Sequence, residues 1–235
     1  QLKKLISGKT KTLKKCVQIQ PMADCRLQKD AYGDYYLNIP ICVEKRQPTG
    51  QGIASLDPGV RKFVTTYSPD REECFMYGVR FMEKLWTLLF RYDRLQAEGN
   101  HPEMRRVLKR IRNLKQEMKF QVANALTRRY DTLLVPKLDT TQLISPRGLK
   151  TKTARRAMQN TGHCGFYDHL QHKCEERGVR FIPVTEEYTS QTCHCCGTLT
   201  KTSAETRKCS GCGYIGDRDL IASLNILLKA ISTEV

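Results

Sequence analysis

The chain predicts an α/β fold, a mixed β-sheet flanked by helices, and three observations carry that prediction. Short β-type runs alternate with long stretches of helical periodicity. One apolar run ends in an Asp followed by Pro-Gly, and a second Asp opens the last apolar helix. Two Cys-x-x-Cys pairs lie between those acids, close to the second.

Residues 1–50 begin with Lys3, Lys4, Lys9, Lys11, Lys14 and Lys15. Val17–Gln20 and Tyr35–Ile39 have β-type composition, and Gly33-Asp34 supplies turn chemistry before the second run. The segment is expected to be the end of a β-rich module with a linker at Gln47-Pro48-Thr49-Gly50. Ile53–Leu56 then leads into Asp57, Pro58-Gly59 breaks the chain, and Phe63–Tyr67 and Cys74–Tyr77 complete a three-strand meander. Helical periodicity covers 80–98, with Phe81, Leu85, Leu88 and Leu89 on one stripe, and 102–130, with Val107, Ile111, Leu114 and Met118. Gly99-Asn100-His101-Pro102 separates them, so residues 80–130 should form a helical hairpin. Leu133–Val135 is a buried strand stopped by Pro136. Residues 152–177 are largely helical, interrupted near Thr161-Gly162, with Phe166, Leu170 and Cys174 buried. Val179–Val184 is a further strand, and Leu220–Ile231 closes the chain as an apolar helix.

The 235 residues suit one catalytic-size domain with a smaller piece attached. Lys and Arg number 40 against 24 acids, a net charge of +16, which points to a polyanionic partner, foremost nucleic acid. The second arm of the hairpin concentrates that charge in Arg105, Arg106, Lys109, Arg110, Arg112, Lys115 and Lys119. The run is either a nucleic-acid contact or a solvated face. Eleven cysteines, an odd number with four in tight pairs, argue against an extracellular disulfide framework and for a reducing compartment. No apolar run reaches the roughly 18 residues of a membrane span, so a soluble protein without a membrane partner is expected. The chain starts on Gln1 rather than Met. It is expected to be the C-terminal part of a longer protein.

Cys193, Cys196, Cys209 and Cys212 have the spacing of a structural zinc site, because each Cys-x-x-Cys turn places two thiolates on one tetrahedral metal. Cys195 is a spare thiol inside the first pair, and His194 is a substitute ligand that four cysteines make unnecessary. Asp57 alone could be a turn residue and Asp219 a helix cap. Asp217 and Asp219 could divide capping and catalytic roles between them.

The order of these features resembles the RuvC-like nuclease domain of the TnpB and Fanzor family, transposon-encoded relatives of the type V CRISPR effectors. The matching stretches are Leu56-Asp57-Pro58-Gly59-Val60-Arg61, Tyr188-Thr189-Ser190-Gln191-Thr192-Cys193, Cys196-Gly197, the Cys209 and Cys212 pair, and Asp217-Arg218-Asp219 with Asn225-Ile226. The likeness covers roughly residues 50 to 231. It implies an RNase H-like (RuvC) fold and RNA-guided DNA cleavage, with guide RNA and target DNA as partners. It also implies the division 1–50 as the end of a wedge-like β-module, 51–192 as the first RuvC-like part, 193–212 as the inserted zinc ribbon and 213–235 as the last RuvC-like segment. By the match Asp57 is the first catalytic acid and Asp219 the last. The bacterial pattern places a second acid, a Glu, at the end of the strand that here reads Leu134-Val135-Pro136-Lys137-Leu138, where none is present. In this the chain resembles the eukaryotic Fanzor branch, whose relocated Glu precedes the Tyr-Thr-Ser motif; Glu186 matches it, with Glu187 beside it. Alternation along the preceding strand does not choose between them. Ile221 stands where the family usually has Asn.

Such a site would hold two Mg2+ ions about 3.5 to 4 Å apart on Asp57, Glu186 and Asp219. Zinc would be structural and magnesium catalytic. A eukaryotic host would place the protein in the nucleus, any other in the cytoplasm or nucleoid. Two other readings compete with an endonuclease: a domesticated, catalytically inactive nucleic-acid-binding module, and a structural zinc protein whose charge serves solubility.

Overall fold

The computed structural model describes residues 22–137, 152–185, 188–200 and 204–233. The Lys-rich start, the Val17–Gln20 strand candidate, and the acids Glu186 and Glu187 lie outside the described residues.

The chain divides into two units after Glu44. In the smaller one β1 (Arg26–Lys29) pairs antiparallel with β2 (Tyr35–Asn38). Asp30 builds the turn between them, its carboxylate accepting from the amides of Tyr32 at 2.9 Å and Asp34 at 2.8 Å. Gly33 takes φ +87°, a conformation that only a residue without Cβ adopts freely. The strand paired with Tyr35–Asn38 is thus a polar run, exposed at every position, with no alternation to betray it.

In the larger unit, residues 45–50 are fastened to helical elements. The Arg46 amide donates to the Glu176 carbonyl at 3.0 Å, and a Cβ at Gly50 would come within 2.4 Å of the Arg129–Tyr130 backbone. The sheet follows. β3 (Ile53–Pro58), β4 (Val64–Ser68) and β5 (Glu73–Tyr77) form the expected antiparallel meander. On its other side β3 pairs in parallel with β6 (Thr132–Pro136), and β6 with β7 (Arg180–Val184). The order is β5-β4-β3-β6-β7, the RNase H-like arrangement.

Parallel pairs need crossovers, and helices supply them. α1 (Val79–Ala97) and α2 (His101–Arg129) bridge β3–β5 to β6, while α3 (Lys152–Thr161) and α4 (His163–Arg177) bridge β6 to β7. The Asn100 side chain caps α2 by accepting from the Glu103 amide, with Pro102 in the first turn. Val107, Ile111, Met118, Val122 and Leu126 form its buried stripe, while Arg105, Arg106 and Arg110 are exposed. The later helix buries Phe166, Leu170 and Cys174 as the periodicity requires.

Alternation sorts the sheet faces. Ala54, Leu56, Leu133 and Val135 belong to the main core with residues of α1, α2 and α4. Fully burying a side chain such as Leu56 contributes about 1.5–3 kcal/mol. Leu134, Val184 and, less deeply, Ile53 and Ile182 pack on the opposite face against Ile226 and Leu227 of α5 (Arg218–Thr233). A small antiparallel pair, β8 (Thr206–Lys208) and β9 (Ile215–Asp217), leads directly into that helix. No helix among the described residues is long and apolar enough to cross a membrane.

Candidate active site

Asp57 lies near the end of β3, half-buried, opposite Thr65 of β4. Ser55 shares its face, and the Ser55 hydroxyl donates to the Ser223 carbonyl of α5 at 2.6 Å. Asp57 therefore belongs to the face that α5 covers. The strand stops at Pro58-Gly59, where the Gly59 amide donates to the Phe63 carbonyl at 3.1 Å. A Cβ at Gly59 would come 2.6 Å from the Lys62 carbonyl, so this tight turn requires glycine. His163 supports the turn, donating from Nε2 to the Gly59 carbonyl at 3.0 Å and stacking on Phe63 at 4.7 Å. Burial pulls its imidazole down to about 4, which keeps it neutral at physiological pH.

At the helix, the two acids divide their roles. Asp217 caps α5, its Oδ1 accepting from the amides of Asp219 at 2.9 Å and Leu220 at 3.1 Å. Asp219 is spared that task and stands beside two cations, Arg218 at 3.2 Å and Lys62 at 3.5 Å. Lys62 also donates to Asp217 at 2.8 Å. Burial works to raise the Asp217 carboxyl, but the Lys62 hydrogen bond and the α5 amides outweigh it and hold it below the usual range. The Lys62 ammonium is lowered by burial and raised more by Asp217 and Asp219.

The same contacts fix where Asp57 and Asp219 stand. Lys62, just past β3, reaches the start of α5, so strand and helix run in opposite senses. Asp57 is two residues beyond Ser55, about 6.6 Å along a strand. Asp219 is one turn before Ser223, about 6 Å along a helix. The Ser55–Ser223 bond thus brings both acids to one end of the sheet. Parallel pairing ends β6 and β7 at that same end, with Pro136 opposite Val184 and the Lys137 amide donating to the Val184 carbonyl at 2.8 Å. Glu186 follows Val184 by two residues in the sequence.

The segment that follows is tied down from two sides. The Tyr188 carbonyl accepts from the amides of Gln191 and Thr192, both at 2.9 Å. Asn225 of α5 donates from Nδ2 to the carbonyls of Thr189 and Thr192, both at 2.7 Å. Arg207 of β8, only 1% exposed, donates to the carbonyls of Thr192 at 2.8 Å, Thr198 at 3.4 Å and Ser190 at 3.5 Å, and also to that of Gln191. Sequence reasoning missed Lys62 and Arg207, since each stands in a charged run that reads as solvated. Asn225→Ala is expected to lower stability by about 1–3 kcal/mol, the cost of losing two hydrogen bonds worth about 0.5–1.5 kcal/mol each. Urea unfolding checks this; a shift below about 0.5 kcal/mol, the scale of ordinary surface substitutions, would contradict it.

The ribbon brings the sulfurs of Cys193, Cys196, Cys209 and Cys212 within 4.8 Å of one another. Cys193 to Cys212 is 3.7 Å and Cys196 to Cys209 is 3.5 Å. A tetrahedral zinc with bonds of about 2.3 Å separates its sulfurs by about 3.8 Å, so the four fit the metal. Hydrogen bonding to Thr198 pulls the Cys196 thiol down to about 6, toward the thiolate that a metal takes. His194 instead packs its ring edge-on to Tyr214 at 4.5 Å.

Residues 163–226, from α4 to the middle of α5, match the family model "Cas12f1-like, TNB domain". A protein of Paramecium bursaria Chlorella virus 1 that carries a transposase's name is 32% identical over 228 residues, covering 92% of this chain and 52% of its own length. A TnpB-like protein of Acanthamoeba polyphaga mimivirus is 24% identical over 235 residues, covering 93% and 45%. The chain spans about half the length of these curated relatives. A solved CRISPR-Cas12f ternary complex shares the fold, with a TM-score of 0.50 and 16% identity over 86% of this chain and 44% of that one. Motif order and these likenesses agree, and the chain is related to TnpB-like and transposase-named proteins.

Proposed function

We propose that the chain is the nuclease portion of an RNA-guided DNA endonuclease of transposon origin, with Asp57, Glu186 and Asp219 as ligands for catalytic Mg2+. One observation carries the reading: Asp57 from a strand end and Asp219 from a helix start stand at the same end of the sheet, beside the ends of β6 and β7. Hard carboxylate oxygens suit Mg2+, which when bound supplies charge stabilisation and a more acidic water. The chain's own task is to hold the acids in register and to position the strand to be cut. Ile182 and Val184 pack on the α5 face, the face of Asp57. The match to the position before the Tyr-Thr-Ser motif favours Glu186 over Glu187 as the third ligand. The lack of a Glu in Leu134-Val135-Pro136-Lys137-Leu138, where bacterial members carry theirs, favours the Fanzor branch. Cys193, Cys196, Cys209 and Cys212 hold a structural zinc in a ribbon at 193–212 that interrupts the RuvC-like domain of 51–192 and 213–235. The β1–β2 pair belongs to the end of a wedge-like module.

Guide RNA and target DNA are the partners that the +16 charge and the exposed arginines of α2 suit. A second reading, an inactive binding module, has one observation in its favour: the Lys62 ammonium already neutralises part of the carboxylate cluster. The test is DNA cleavage by protein purified with its bound RNA. Cutting is expected to need both Mg2+ and RNA, and DNA affinity to fall by orders of magnitude between about 50 and 200 mM salt, as several phosphate contacts require. Sequence-directed cutting by RNA-free protein, or salt-independent binding, would contradict the proposal. Steeply salt-dependent binding without any cutting would select the inactive module.

A further inference from the structure

We propose that Lys62 is a tethered cation of the candidate site: anchored on Asp217, it holds part of the charge of Asp219 in the metal-free protein and sets how much Mg2+ the site needs. The inference rests on the reading of Asp219 as a metal ligand.

Lys62 leaves the same turn as Asp57, and its side chain is 10% exposed. A lysine on a surface turn can extend into water; here the ammonium is drawn in among three carboxylates. It lies 2.8 Å from Asp217, 3.5 Å from Asp219 and 3.8 Å from Glu205. Withdrawing an ammonium from water is costly unless it is paired, so this placement is stabilised by the acids themselves.

The three contacts are unequal. At 2.8 Å the Asp217 bond has the length of a charge-assisted hydrogen bond. Asp217 is also engaged, its Oδ1 taken by two helix amides and its Oδ2 by Lys62. Asp217 thus serves as a cap and an anchor. Asp219 at 3.5 Å is attracted without a short bond, and its side chain is 14% exposed. An arriving divalent ion can therefore take Asp219 while the ammonium stays on Asp217. The ion then binds next to a fixed positive charge, and repulsion at that distance in a half-buried site weakens its hold.

Thermal unfolding during titration with Mg2+ alone tests the idea, because thiolates have little use for this hard ion and its response reports the carboxylates. Lys62→Met and Lys62→Gln are expected to reach half of the Mg2+-induced rise in Tm at about tenfold lower concentration than wild type, equivalent to about 1.4 kcal/mol. Lys62→Arg keeps the charge and should keep the wild-type midpoint. Asp219→Asn should remove the response. The Gln variant retains a hydrogen bond to Asp217 and covers the case in which Met does not fold. Unchanged or higher midpoints in Met and Gln, with the response still dependent on Asp219, would overturn the role of Lys62 and leave the metal site standing. No Mg2+ response in wild type or in any Lys62 variant would overturn the metal site itself, and Lys62 with it.

Discussion

Glu186→Ala is expected to abolish Mg2+-dependent cleavage while nucleic-acid affinity stays nearly intact, the largest effect of any single substitution. Two-metal hydrolysis needs every carboxylate that holds an ion opposite the scissile phosphate. Removing one group that stabilises developing charge lowers turnover by about 10²–10³, and loss of an ion removes more. Asp57→Ala and Asp219→Ala should fall as far. Affinity persists because phosphate contacts come from basic residues spread over the chain, and deleting an acid subtracts none of them. Glu187→Ala should do less, since the motif match falls on Glu186. Cleavage rates and filter binding on the same preparations check both halves. An active Glu186 variant beside a dead Glu187 variant would reverse the assignment.

Cys209→Ser is expected to remove zinc from the ribbon and to lower the melting temperature. Structural zinc sites contribute about 10–16 kcal/mol of apparent binding free energy, which is also folding free energy. A loss of even about 3 kcal/mol shifts the Tm of a domain this size by roughly 6–12 °C. The damage should spread, because β8 lies in the ribbon and carries Arg207, whose guanidinium holds the carbonyls from Ser190 to Thr192. Those carbonyls belong to the segment directly after the Glu186 position, so cleavage should weaken along with stability. Metal analysis, thermal unfolding and hydrogen exchange over 188–200 report the three steps separately. Unchanged melting and a wild-type preparation without bound zinc would refute the assignment.

Much of this architecture is legible in the sequence because burial imposes periodicity. The stripe through Val107, Ile111 and Met118 faces the core and marks α2, and Phe166, Leu170 and Cys174 mark α4. Asp57 stands out because Pro58-Gly59 ends its strand at once. β1 escapes notice because Arg26-Leu27-Gln28-Lys29 lacks the aromatic residues that mark its equally exposed partner β2. Asp217 and Asp219 look alike until the helix shows which carboxylate its amides take. Lys62 and Arg207 are hidden for a related reason. Their burial depends on partners 155 and 15 residues away, and a charge written in a sequence does not announce its partner.

The bond from Ser55 to Ser223 spans 168 residues and that from Lys62 to Asp217 spans 155. Translation adds about 5–20 residues per second, so the ribosome needs roughly 10–30 s after Asp57 before the partner helix even exists. Contacts of such long range also form late, since loop-closure entropy has to be met first. The nascent chain can pair its meander early, yet on the proposed reading no cutting centre can assemble until α5 has been synthesised. A message truncated before α5 would then yield a chain that lacks Asp219 and cannot cut.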